Sequence, residues 1–187
     1  MTFTQLTIPG VWLVEADTFT DERGSFVRAW IREEFATRGL ETGIEQCTMA
    51  SNHRRGTLRG MHYQAPPFDE TKLVRVIRGT IWDVALDLRP DSPTYCRSVG
   101  VELSDANKRT LYIPKGVAHG YQTLTDNAEV LYFLSAPFAP SHQRGVRWND
   151  PAFAIVWPLG DPTMINERDA TFPDYVPTNL VNKAFTT

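Results

Sequence analysis

The sequence predicts an all-β fold, a sandwich or a barrel, on three observations. Many short strand-like runs are separated by turns rich in Pro, Gly, Asp and Asn. Helical patterning is confined to one short run. Residues 81–88 alternate: Trp82, Val84, Leu86 and Leu88 are apolar, and between them stand Ile81, Asp83, Ala85 and Asp87. A period of two marks a strand, here read with one buried face.

The elements follow in order. Residues 1–15 read as one or two strands broken at Pro9-Gly10. Asp21-Glu22-Arg23-Gly24 is a turn, and Ser25 to Trp30 a short strand. Glu33 to Arg38 is a short helix ended by Gly39. Gln46 to Met49 is a strand. The segment 51–89 follows, with a loop at Pro66-Pro67, and then strands at Val99 to Leu103 and Leu111 to Ile113. Pro114 to Gly120 reads as a tight turn. Gln122 to Thr125 and Glu129 to Ser135 read as a hairpin across Asp126-Asn127, with Val130, Tyr132 and Leu134 on one face. From Arg144 onward the pattern is irregular, and 177–187 reads as a loosely held tail.

The bulk properties narrow the function. With 187 residues the chain has the size of one domain with a real core. Hydrophobic content of 42% and charged content of 22% suit a soluble globular protein. A net charge of -3 argues against nucleic-acid or membrane-surface binding by bulk electrostatics, so any anion site is local. Cys47 and Cys96 form neither a disulfide framework nor a zinc motif. No leader or membrane-length apolar run is visible, and the cytoplasm is the expected compartment.

Chemistry concentrates between residues 51 and 89. Arg55, Arg59, His62 and Lys72 crowd beside strand-like segments, a pattern that suits an anionic ligand with acid/base chemistry next to it. Cations around His62 would keep it neutral, so it is either a general base or a core histidine bonded to a carbonyl. In an ideal strand Arg59 and His62 point to opposite faces; they share a pocket only if the strand bulges, and Gly60 is the place for it. Lys72 is either an oxyanion or phosphate ligand or a solvated strand-end lysine. Tyr132 is a general acid or a core tyrosine, and spacing alone does not tie Asp169 to His62. His62 and His119 could pair across two strands, but without a carboxylate in metal-ligand spacing no catalytic metal is expected.

Beyond these single residues, whole motifs carry a resemblance. They include Asp21-Glu22-Arg23-Gly24-Ser25-Phe26, residues 56–64 (GTLRGMHYQ), Lys72-Leu73-Val74-Arg75 and residues 113–120 (IPKGVAHG). Trp148-Asn149-Asp150-Pro151, Trp157-Pro158 and Glu167-Arg168-Asp169 complete them. Together, across roughly residues 3–175, the sequence resembles the dTDP-4-dehydrorhamnose 3,5-epimerase family. The resemblance implies a single cupin-type jelly roll with a few short helices, and a homodimer whose N-terminal strands cross to the partner. It implies a cofactor-free and metal-free reaction on a nucleotide-diphosphate-linked 4-keto-6-deoxyhexose.

By the family's pattern His62 is the base, Asp169 its orienting partner, Lys72 the enolate-stabilising cation and Tyr132 the acid on the opposite face. Arg23 and Arg59 would grip the diphosphate. Phe26, Gln46, His119, Phe138 and Arg168 would complete the substrate site. Departures from the family pattern fall at Arg28, Thr48, Ala50 and Phe138, and they bear on nucleotide preference and on whether C3 alone is inverted. The alternatives that stay open are a C3-only or CDP-sugar epimerase, a 3,4-ketoisomerase, and a cupin that only binds sugar nucleotides.

Overall fold

The computed structural model describes residues 1–177; all of the proposed tail except Pro177 lies outside the described residues. Thirteen strands, two short α-helices and one 3-10 turn (Pro140–His142) are the regular elements of the described chain. The strands are β1 (Thr2–Gln5), β2 (Trp12–Glu15), β3 (Thr18–Asp21), β4 (Gly24–Val27), β5 (Gln46–Asn52), β6 (Leu58–Gln64) and β7 (Lys72–Arg78). They continue with β8 (Thr80–Asp87), β9 (Ser98–Ser104), β10 (Arg109–Ile113), β11 (Val117–Thr123), β12 (Ala128–Leu134) and β13 (Gln143–Gly145). The helices are α1 (Arg32–Ala36) and α2 (Glu167–Ala170).

Two antiparallel sheets face each other as a jelly roll. One has six strands in the order β1-β2-β10-β7-β12-β5, and the other five in the order β13-β6-β11-β8-β9. Between them lies the main core. Val74, Val76, Leu111 and Val130 from the first sheet meet Ile81, Ala85, Leu103 and Tyr121 from the second. The β3–β4 hairpin is a separate two-stranded ribbon, exposed along nearly its whole length.

Strand β8 corrects one expectation. Both of its faces are buried, not one. Ile81 and Ala85 face the inter-sheet core, while Val84 and Leu86 lie under Val146, Phe153 and Trp157. The irregular C-terminal segment therefore acts as a lid on the outer face of the five-stranded sheet, and alternation in one strand cannot reveal a cover that lies sixty residues away. Asp83 and Asp87 are fully buried: one oxygen of Asp83 pairs with His119, and Asp87 is held by Arg89, Ser92 and Thr94.

Two further readings change. β11 and β12 do not form a hairpin, because they belong to opposite sheets. Asn127 takes a left-handed φ of 53° where the chain crosses between the sheets. The turn after Pro114 is shorter than expected: Gly116 turns at φ 77°, and β11 begins at Val117, so His119 and Gly120 are strand residues. Helix α2 falls in a stretch that looked irregular, and Asn166 caps it by accepting from the Asp169 amide at 2.7 Å. Among the described residues no helix is long and apolar enough to cross a membrane.

Candidate active site

The geometry starts from a fault in β6. His62 pairs with His119 across to β11, and Arg59 pairs with Tyr121. Gly60 and Met61 together therefore face Gly120 alone, which is a bulge. Gly60 sits at φ 126°, and a Cβ there would lie 2.5 Å from the Gly120 Cα. Only glycine fits. The extra residue returns Arg59 and His62 to the same side, as the bulge argument requires, and both line one pocket of about 270 Å³.

The pocket opens between the two sheets. β5 contributes Gln46, Thr48 and Ala50, which alternate onto one face and lie beside Leu134, Tyr132 and Val130 of β12. Lys72 enters from the first residue of β7, and His119 from β11. Phe138 stands at the mouth, 55% exposed. Asp169 reaches in from α2. Thus His62 belongs to the five-stranded sheet, and Lys72 and Tyr132 to the six-stranded one.

His62 Nε2 lies 2.7 Å from Asp169 Oδ1. The other carboxylate oxygen accepts from the Gly60 amide at 3.0 Å, so the bulge that aims His62 also fixes its partner. Asp169 is fully buried. Burial pushes its carboxyl up, but the bonds from His62 and the Gly60 amide, with Arg168 nearby, outweigh that and leave it below the ordinary aspartate range. Cations crowd His62 in the sequence, but the group on its ring is an anion, supplied from 107 positions along the chain. An imidazole N–H donated to Asp169 leaves the other ring nitrogen with a lone pair.

The remaining groups divide clearly. Burial pushes the Lys72 ammonium below the ordinary lysine value, against Glu70 and Asp83, which raise it. Its Nζ donates to the His62 carbonyl at 3.3 Å and lies 3.3 Å from Glu70 Oε1. Tyr132 is held well above the ordinary tyrosine value, first by burial and then by Tyr121, so it keeps its proton at neutral pH. Arg59 donates to Asn52 Oδ1 at 2.8 Å, and Asn52 also accepts from Tyr121 at 3.1 Å. His119 Nε2 lies 2.6 Å from Asp83 Oδ1.

Four expected contributors stand apart. Arg23 and Phe26 lie on the β3–β4 hairpin; the Arg23 side chain is 89% exposed and paired with Asp21. Arg168 donates to Gln143 at 2.6 Å, so it touches the pocket through a lining residue. Arg55 donates to the Leu124 carbonyl on the protein surface. Sequence reasoning missed Glu70, Gln64 and Asp83. Asp83 carried a signal, since an acid inside an apolar strand needs a buried partner.

A bulged strand that presents a histidine–carboxylate pair, a desolvated lysine and a protonated tyrosine across one cleft defines a jelly-roll enzyme of proton transfer. The comparisons give the particular family. The family model described as dTDP-4-dehydrorhamnose 3,5-epimerase matches residues 5–176. A dTDP-4-dehydrorhamnose 3,5-epimerase of Pseudomonas aeruginosa is 42% identical over 172 residues, covering 90% of this chain and 93% of that one.

Among solved structures, the Bacillus anthracis dTDP-4-dehydrorhamnose 3,5-epimerase with TDP and PPi bound superposes with a TM-score of 0.89. It is 35% identical, covering 93% of this chain and 99% of that one. An H-to-N, Y-to-F double mutant of ChmJ, a 3'-monoepimerase from Streptomyces bikiniensis in complex with dTDP, superposes with a TM-score of 0.86 at 28% identity, covering 96% and 89%. The chain belongs to the dTDP-4-dehydrorhamnose 3,5-epimerase family and is an isomerase of deoxysugar biosynthesis.

Proposed function

We propose that the protein inverts C3 and C5 of dTDP-4-keto-6-deoxyglucose by moving protons between two walls of this pocket. The observation that carries the reading is the placement of base and acid on opposite sheets: His62 on β6 and Tyr132 on β12 line the same cleft. Epimerisation needs this arrangement, because a proton taken from one face of the sugar must be replaced from the other.

Each residue then has one task. The free nitrogen of His62 takes the hydrogen α to the C4 ketone, and Asp169 stabilises the imidazolium that forms. The electron pair of the broken C–H bond moves onto O4, and the Lys72 ammonium stabilises that enolate oxygen. Tyr132 gives its proton to the same carbon from the far side. In ChmJ the two replaced residues, a histidine and a tyrosine, have the same spacing in sequence as His62 and Tyr132 here. Arg59 meets the diphosphate at the mouth, with a bidentate guanidinium suited to it. Gln46, Thr48, Ala50 and Phe138 form the wall that would face sugar and base.

Arg23 and Phe26 enter a site only in a second copy. Among the described residues the β3–β4 hairpin pairs with no other strand, and it exposes Phe19 at 55% and Phe26 at 60%. The Arg28 guanidinium lies 5.8 Å and 5.7 Å from the centres of those two rings. A homodimer that inserts this hairpin at its partner's pocket would cover the rings and complete the phosphate grip. The test is complementation. His62→Ala and Arg23→Ala homodimers should each be nearly inactive on the sugar nucleotide. Mixed after dissociation they should recover close to a quarter of wild-type activity, since about half the dimers are mixed and each carries one intact site. No recovery would place Arg23 in its own chain's site or in none.

A further inference from the structure

Lys72 needs help to stay charged where it sits. It is 8% exposed, at the start of β7, and its register neighbours Ile113 on β10 and Leu134 on β12 are apolar. Glu70 in the preceding loop and Asp83 on β8 act on its charge, and Arg59, His62 and Tyr63 on β6, His119 and Tyr121 on β11, Tyr132 on β12 and Asp169 on α2 line the same pocket. Of the two carboxylates, Asp83 spends one oxygen on His119 at 2.6 Å. Glu70 is the one in contact, 3.3 Å from Nζ, with its side chain 8% exposed.

Glu70 is itself clamped. Its second oxygen accepts from Gln64 Nε2 at 3.0 Å. Gln64 also donates to the Phe68 carbonyl at 2.9 Å, with the Pro137 carbonyl 3.2 Å away sharing a hydrogen, and accepts from the Ala139 amide at 2.7 Å. Gln64 closes the β6 motif that holds His62, and residues 137–139 carry Phe138 at the pocket mouth. One glutamine thus ties the lysine's counterion to both ends of the site.

We propose that Glu70 is a positioning residue of the epimerisation: held by Gln64, it keeps the Lys72 ammonium charged and aimed at the enolate oxygen. The inference rests on the epimerase reading for the role of Lys72, but the contact it invokes does not. Burial lowers the Lys72 ammonium, and without the close carboxylate that opposes it the lysine would give up its proton at a lower pH, leaving the enolate without its cation.

The experiment follows the Lys72 Cε signal by NMR against pH in protein labelled with 13C-lysine, assigned by its absence in Lys72→Ala. Glu70→Gln keeps an oxygen for Gln64 and removes the charge. It should lower the Lys72 titration midpoint by about one to three pH units. The alkaline limb of kcat should move to lower pH by the same interval, with KM for the sugar nucleotide unchanged. Glu70→Asp keeps the charge but retracts it, and should fall between the two. An unchanged midpoint in Glu70→Gln, or in Glu70→Asp should the first variant not fold, overturns the proposal. The titration reads Lys72 with or without turnover, whereas failure of the epimerase reading shows as an inactive wild type.

Discussion

Two histidine–carboxylate pairs face each other across β6 and β11, and they differ in exposure and in how the carboxylate is held. His62–Asp169 and His119–Asp83 have nearly the same contact, 2.7 Å and 2.6 Å, and the two histidines are register partners. The His62 side chain is 26% exposed and that of His119 is 6%. Asp169 has a second donor in the Gly60 amide, while Asp83 Oδ2 has no hydrogen-bond partner among the described residues. A histidine–aspartate contact is therefore not by itself a catalytic base. What separates the pairs is the bulge, which turns one ring toward the cleft and anchors its carboxylate from behind.

The comparison breaks most readily at His62. His62→Ala should lower turnover by at least about 10³-fold, with a near-native thermal midpoint, because the loss is one of a general base. Turnover within tenfold of wild type would remove the base from this pair. Asp169→Asn should cost about 10²-fold in kcat, since the imidazolium loses its counter-charge. Stopped assays at saturating substrate would show it as a kcat effect with KM little changed.

The order should invert for stability. His119→Ala leaves a buried carboxylate without its partner and should cost about 3 kcal/mol in urea denaturation. His62→Ala should cost less, because Asp169 keeps the Gly60 amide and the lost His62 side chain is itself 26% exposed. Equal losses would mean that the two pairs are energetically alike.

The smallest effect sharpens the contrast along β8 itself. Asp87 is buried, which pushes its carboxyl up, but bonds from Arg89, Ser92 and Thr94 prevail and hold it at about 2. A lowered carboxyl stabilises the fold above its ordinary value and loses that contribution as pH falls toward about 2. The wild type should lose about 2 kcal/mol across that acid window, and Asp87→Asn should lack this component of the slope.

Much of this was legible in the sequence because it was local. Period-two runs placed the strands, and Gly60 between Arg59 and His62 announced the bulge. What escaped depended on distant segments meeting. Asp169 joins His62 only because residues 146–170 wrap the outer sheet and end in a capped turn of helix. The hairpin across Asp126-Asn127 failed because turn chemistry states that the chain reverses, not which sheet it re-enters. Arg23 and Arg59 looked alike as phosphate ligands, yet one sits on a ribbon that this chain leaves uncovered. Glu70 was invisible because a charged loop residue ordinarily faces water.

The central claim is that base and acid act from opposite walls, and deuterium tests it directly. In D2O the wild type should place deuterium at C3 and C5 of dTDP-4-keto-6-deoxyglucose with inversion, as followed by proton NMR of the sugar. Tyr132→Phe should still wash deuterium into those positions but return it with the starting configuration, because His62 alone can only give back on the face from which it took. His62→Ala should exchange neither. Inversion at wild-type rate by Tyr132→Phe, or exchange by His62→Ala, would contradict the two-wall account.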